Sequence, residues 1–188
     1  MLPIIILLGL VVFFAIWVVS MYNGLIGKKN QVEYAFAGID VQLKKRRDLI
    51  PNLVAAVKEY MKHERELLEN ITALRSQVMS PNISDKERFA AENQLGKQLG
   101  KLQIAIENYP DLKANTNVMD LQRNLTEVES QIAASRRAYN ASVMSYNNGL
   151  EMFPSNIIAG MMRLERKEPF EIPAEERENV DVSDLFNS

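Results

Sequence analysis

The chain has 188 residues, a net charge of -2 and no cysteine. That length fits one domain plus an appendage, and the near-neutral charge gives no ground for nucleic acid or another polyanion as a partner. The missing thiols exclude disulfides, a thiolate metal site and a lipid-modified N-terminal cysteine. With 8 glycines and 7 prolines, most of them at apparent boundaries, long uninterrupted elements are expected.

Leu2 to Met21 carries no charged side chain, and its one proline, Pro3, stands at the start. Twenty residues of helix rise about 30 Å, the thickness of a bilayer's hydrocarbon core. A cleaved signal peptide fits poorly, because no Lys or Arg precedes the run and Val18-Val19-Ser20-Met21 is a weak cleavage site. A soluble core helix would show a polar stripe, which is missing here. Trp17 and Tyr22 lie where aromatic rings favour the membrane interface, and Lys28 and Lys29 follow closely. By the positive-inside bias these lysines place the bulk of the protein in the cytoplasm and the N-terminus outside.

Gln31 to Met79 holds two amphipathic patterns. Val32, Phe36, Ile39 and Leu43 recur at helical spacing and one further cycle reaches Ile50; Leu53, Val57, Tyr60, Glu64, Leu67, Ile71, Leu74 and Val78 continue the alternation. So narrow a stripe belongs to helices packed at a small crossing angle, as in coiled coils. Pro51, lacking an amide hydrogen, predicts a tight corner at Asp48-Leu49-Ile50-Pro51 between two antiparallel helices.

Pro81 stops the second helix, and Ser84-Asp85-Lys86-Glu87 has capping-box spacing for a third carrying Phe89, Leu95, Leu99, Leu102 and Ile106. Gly96 and Gly100 weaken it unless they admit a close neighbour. Tyr109-Pro110 ends it. A fourth stripe runs through Val118, Leu121, Leu125, Val128, Ile132, Ser135, Tyr139, Ser142 and Tyr146 to Phe153-Pro154. Ile157 to Met162 is expected as an apolar turn covering the end of the bundle. From Glu168 onward seven acids face one arginine, the composition of a solvated tail. The fold predicted is all-α: an N-terminal transmembrane helix followed by an up-and-down antiparallel bundle of about four long helices. Its parts are an anchor over 1–22, a bundle over 23–162 and an acidic, flexible tail over 163–188.

No constellation carries chemistry. His63, the single histidine, lies in the charged run Lys62-His63-Glu64-Arg65-Glu66 and reads as a surface residue rather than a phosphotransfer site. A di-iron site needs Glu-x-x-His on two helices; one histidine cannot supply both, and Glu59 stands four residues from it. Glu64, on the apolar stripe, is expected at its edge, with Arg136 or Arg137 as partners. Lys44-Lys45-Arg46-Arg47 lies about 30 Å beyond the span if the helix is straight, several Debye lengths from lipid headgroups, and reads as a basic collar paired with neighbouring acids. Nothing aromatic interleaves it, which disfavours single-stranded nucleic acid. Tyr139 and Tyr146, each followed by an asparagine, share a face as core-edge packing. No catalytic, cofactor-binding or metal-ligating residue is assigned, and no cofactor is expected.

Several segments carry a likeness. Asn30-Gln31-Val32-Glu33, Ile39-Asp40-Val41-Gln42-Leu43, Arg46-Arg47-Asp48-Leu49-Ile50-Pro51-Asn52-Leu53-Val54 and Tyr60-Met61-Lys62-His63-Glu64 resemble the LemA family of bacterial membrane proteins. So do Tyr109-Pro110-Asp111-Leu112-Lys113-Ala114-Asn115, Arg136-Arg137-Ala138-Tyr139-Asn140, Tyr146-Asn147, Phe153-Pro154-Ser155-Asn156 and the ending Val180-Asp181-Val182-Ser183. The resemblance implies a single-pass anchor and a helical bundle in the bacterial inner membrane, with no established enzymatic activity and no catalytic residue to transfer. It also implies relatives linked to magnetosome membrane formation, and others associated with a membrane metalloprotease. Two functions follow as expectations. One is a non-enzymatic scaffold that self-associates at the membrane; the other is an adaptor or regulator of a membrane protease or of envelope stress signalling. The partners expected are membrane lipid, further copies of the chain and another membrane protein, and not nucleic acid.

Overall fold

A computed structural model of the chain describes residues 2–170. The fold is all-α, with an apolar N-terminal helix and a helical bundle, as predicted. Its elements are α1 (Leu2–Val57), a 3-10 turn (Lys62–Glu64), α2 (Arg65–Val78), α3 (Asp85–Ile106), the one-turn α4 (Pro110–Lys113), α5 (Thr116–Glu151) and α6 (Ser155–Met161). The chain separates into one compact unit of residues 36–135 and another built from residues 2–35 and 136–170.

The unit of residues 36–135 is a four-helix bundle formed by the second part of α1, α2, α3 and the first part of α5. Ile50, Leu53, Val57, Met61, Leu68, Ile71, Leu95, Leu99, Leu102, Ile106 and Leu125 build one continuous buried core. Local sequence starts its helices. The Ser84 hydroxyl accepts the Glu87 amide while Glu87 accepts the Ser84 amide, so the predicted capping box opens α3. Pro110 occupies the first turn of α4, and Asn115 opens α5 by accepting the amides of Asn117 and Val118.

The corner is not at Pro51. The proline lies inside α1, which continues to Val57. The spacing explains this, since Ile50, Leu53 and Val57 prolong the 4-3-4 alternation through the proline and all three are buried. The chain turns instead across residues 58–64, where Tyr60 and Met61 both donate to the Val57 carbonyl. Beyond that turn Ile71 and Val78 are buried as the stripe has them, but two of its other positions move by one residue. Met61 and Leu68 enter the core, whereas Tyr60 is exposed and Leu67 packs only partly against it.

In the other unit, Leu25 packs with Ile158 and Ala159 of α6, flanked by Val18, Met21, Leu150, Met162 and Leu164. Gly149 lets α5 approach α1 closely: a Cβ there would lie 3.2 Å from Leu25 and 3.3 Å from the Lys28 side chain. Beside it the Lys28 ammonium donates to the Ser145 carbonyl at 3.2 Å. After α6, Arg163 takes a left-handed conformation (φ 51°). The amides of Arg163 and Leu164 then return to the carbonyls of Gly160 and Ala159, and Leu164 packs beside Ala159, which is a Schellman termination. It aims residues 165–170 back along α5. Those residues, expected as the start of a solvated tail, are held in place; residues 171–188, with the family-like ending Val180 to Ser183, lie outside the described residues.

Candidate functional site

Two side-chain clusters exceed what packing alone requires. The first lies in the unit of residues 36–135, around Arg46. The stripe Leu43, Arg46, Ile50 keeps its three-and-four spacing through the arginine, so α1 delivers Arg46 into the core rather than to a collar. Its guanidinium pairs with the buried Glu92 carboxylate, donates to the Glu92 carbonyl at 2.8 Å, and reaches Glu129 at 3.0 Å. Arg47 approaches the same Glu92 at 3.4 Å. Two cations against two carboxylates leave no net buried charge, the condition under which such a cluster is tolerated. Gly96 makes the room, because a Cβ there would stand 3.1 Å from the Arg46 guanidinium. Glu129 is a partly exposed member of the cluster, whose chemistry is that of a register-fixing ion pair.

The second cluster lies in the other unit, where α5 reads the returning strap. Asn147 and Lys167 exchange two bonds: the side-chain amide donates to the Lys167 carbonyl at 2.9 Å and the Lys167 amide donates to the Asn147 oxygen at 3.0 Å. Asn140 does the same with Phe170, at 3.1 and 2.7 Å. Tyr146 and Tyr139 donate their hydroxyls to the carbonyls of Glu165 and Glu168, each at 3.1 Å. One repeat explains all six bonds. Seven helical residues rise about 10.5 Å and three extended residues about 10 Å. Moving seven back along α5 and three forward along the strap therefore carries one Tyr-Asn clamp onto the other.

Every one of these bonds goes to backbone, and Pro169 falls at a strap position whose nitrogen is not needed. Side-chain recognition is added at Arg166, which pairs with Glu151 of α5, and at Phe170, whose ring meets Tyr139 edge-on at 5.2 Å beneath the Arg136 guanidinium at 5.6 Å. Burial, reinforced by Glu168 for Tyr139 and by Glu165 for Tyr146, raises both phenol pKa values and keeps the hydroxyls as donors. Sequence reasoning placed both tyrosines on one face but assigned them to packing. The missed signal was the asparagine that follows each.

His63 is exposed in the 3-10 turn, and Glu64 is partly exposed beside it, which matches the surface and stripe-edge readings. A groove of about 710 Å³ lies near this turn, floored by Val54, Met61 and Leu68 and bordered by Lys58, Lys62 and Arg65. Among the described residues no group of three or more His, Cys, Asp or Glu side chains is placed to hold a metal ion.

The apolar stretch of α1 completes the picture: every side chain from Leu2 to Trp17 is exposed, and it forms the one described helix long and apolar enough to cross a membrane. An exposed apolar helix leading into a helical bundle defines a membrane-anchored bundle protein. The chain belongs to the LemA family, whose pattern matches residues 35–183. It is similar to Protein LemA of Metamycoplasma hominis, with 27% identity over 94% of this chain and 80% of that protein. It is also similar to Magnetosome protein MamQ 2 of Paramagnetospirillum magneticum, with 23% identity over 86% of this chain and 68% of that one. For Magnetosome protein MamQ of Magnetospirillum gryphiswaldense the figures are 21%, 79% and 64%. None of these names is that of an enzyme.

Proposed function

We propose that the protein is a non-enzymatic scaffold that self-associates in the bacterial inner membrane, with the bundle in the cytoplasm and the N-terminus outside. The observation that carries this reading is the treatment of the anchor. Leu2 to Trp17 are left bare for lipid, while Val18 and Met21 in the last turn of the apolar run, and Leu25 just beyond it, are clasped by α5 and α6. The helix is therefore built into the folded unit that follows and is not a loose tether. Confinement to a membrane raises the effective concentration of neighbouring copies, so weak lateral contacts suffice for assembly. Lys28 and Lys29 support the orientation, and relatives that are magnetosome proteins support work at a membrane. No metal or cofactor enters the reading.

Full-length protein in native membranes should give a crosslinked ladder and run as large species in mild detergent. A fragment starting near Gln31 should be helical and mostly monomeric. Full-length protein that stays monomeric in both settings would remove the scaffold. Protease added to intact spheroplasts should leave residues 30–188 whole; digestion without lysis would invert the topology. A second reading, an adaptor that presents clients to a membrane protease, is favoured by the groove floored by Val54, Met61 and Leu68. It predicts a monomer that co-purifies with one protease.

A further inference from the structure

The segment between Glu151 and Arg163, Met152-Phe153-Pro154-Ser155-Asn156-Ile157-Ile158-Ala159-Gly160-Met161-Met162, contains no charged side chain. One face of it is in a core: Ile158 and Ala159 of α6 are buried against Leu25, with Val18, Met21 and Met162 around them. The opposite face is apolar as well. Phe153 is 79% exposed, Met161 81%, Met152 63% and Ile157 57%. Ile157 and Met161 stand four residues apart, so they share the outward side of α6. An uncharged segment with large apolar side chains on both faces belongs in a core or in a bilayer, and only one face of this one is in a core.

What covers the other half follows from what α6 is packed against. Val18 and Met21 are in the last turn of the apolar stretch, bracketed by Trp17 and Tyr22, the residues that mark the bilayer boundary. A segment in contact with Val18 and Met21 stands at the depth of that boundary. Charge begins again just outside it: Arg166 pairs with Glu151 across the ends of the segment, and Arg163 is exposed at the end of α6, at headgroup level.

We infer that α6 and the α5–α6 turn form a second membrane contact, in which Met152, Phe153, Ile157 and Met161 insert into the bilayer at the boundary between headgroups and acyl chains. The segment lies on the surface beside the span and does not cross. The inference rests on α1 spanning the bilayer, and not on self-association or on which side the bundle occupies. It makes the anchor a two-point attachment that fixes how the folded unit meets the membrane.

Because the chain has no cysteine, single cysteines report position cleanly. Full-length Phe153→Cys, Met161→Cys, Phe13→Cys (inside the span) and Ser130→Cys (exposed on α5) would each carry an environment-sensitive fluorophore in phosphatidylethanolamine–phosphatidylglycerol vesicles. Nitroxides on the lipids and iodide in the water are the two quenchers. The ratio of lipid to iodide quenching at positions 153 and 161 should exceed that at 130 several-fold and approach that at 13. Position 13 in lipid with 153 and 161 quenched like 130 would overturn the inference while leaving the span intact. Labels at 153 and 161 reached by neither quencher would also overturn it, since protein, such as a second copy, then covers the face. A label at 13 quenched by iodide would remove the span and the inference together. All four positions are exposed, so circular dichroism should match the unsubstituted chain.

Discussion

Arg75 donates through its Nε to the backbone carbonyl of Arg47 at 2.9 Å. That carbonyl is the one an ordinary residue 51 would bond to, because helical amides donate four residues back and Pro51 has none to give. A side chain from α2 thus supplies the donor that the proline withholds from α1. In return Arg47 donates to the Val78 carbonyl at the end of α2, at 3.4 Å.

Arg75→Ala should therefore destabilise the bundle by about 1–3 kcal/mol, the loss of a charge-assisted bond to a part-buried carbonyl. Adding Pro51→Ala should recover most of that, since the new amide serves the same acceptor. Urea midpoints of the single and double variants make a cycle. Strict additivity would show that the two groups do not share the carbonyl.

The Arg46 cluster makes an asymmetric prediction. Arg46→Ala leaves Glu92 buried with a poorer partner and should cost about 3–5 kcal/mol, whereas Arg46→Met with Glu92→Leu should be close to neutral. Denaturant unfolding measures both. A double variant as unstable as the single would mean that the pair contributes net stability.

How much of this was legible in the sequence depended on range. The start of α3, its stop before Tyr109-Pro110 and the end of α5 before Phe153-Pro154 were readable, because each rests on contacts within a few residues. The corner was not. Pro51 is a strong local signal, but the buried stripe Ile50, Leu53 and Val57 carries the helix through it, and Arg75, 24 residues away and unpredictable as its partner, serves the carbonyl it leaves free. Arg46 keeps the heptad spacing and still reads as a collar residue from sequence, since a charge on a stripe becomes intelligible only once Glu92 and Glu129 face it. The strap escaped for the same reason. Its acidic composition described it as a tail, while its backbone was what the asparagines recognised.

The two glycines of α3 separate by their surroundings. Nothing lies within 4 Å of a Cβ at Gly100, whereas one at Gly96 meets the pinned Arg46 guanidinium at 3.1 Å. Gly100→Ala should stabilise by about 0.5–1 kcal/mol through helix propensity. Gly96→Ala should gain nothing or lose. Thermal midpoints that rise equally would mean that Arg46 has room to move.

The strap gives the last test. Asn147→Ala removes two bonds to Lys167 and Asn140→Ala two bonds to Phe170, each on the order of 1–3 kcal/mol of local closure. Trypsin cleavage after Arg166 and Lys167 should accelerate roughly tenfold for each ~1.4 kcal/mol lost, since local opening limits access. Lys167→Ala, which keeps both backbone groups that Asn147 binds, should change little at the remaining site after Arg166. Alkaline pH reaches the same contacts through the phenols. Their folded pKa values are raised, first by burial and then by Glu168 and Glu165. The closure they provide is therefore complete below the ordinary tyrosine value of about 10 and is lost as pH climbs through the raised values. Phenolate absorbance should show two tyrosines titrating later than a free tyrosine, with the strap becoming protease-sensitive over the same interval. A strap already open at neutral pH, or one unaffected by both asparagine substitutions, would show that the Tyr-Asn ladder does not hold it.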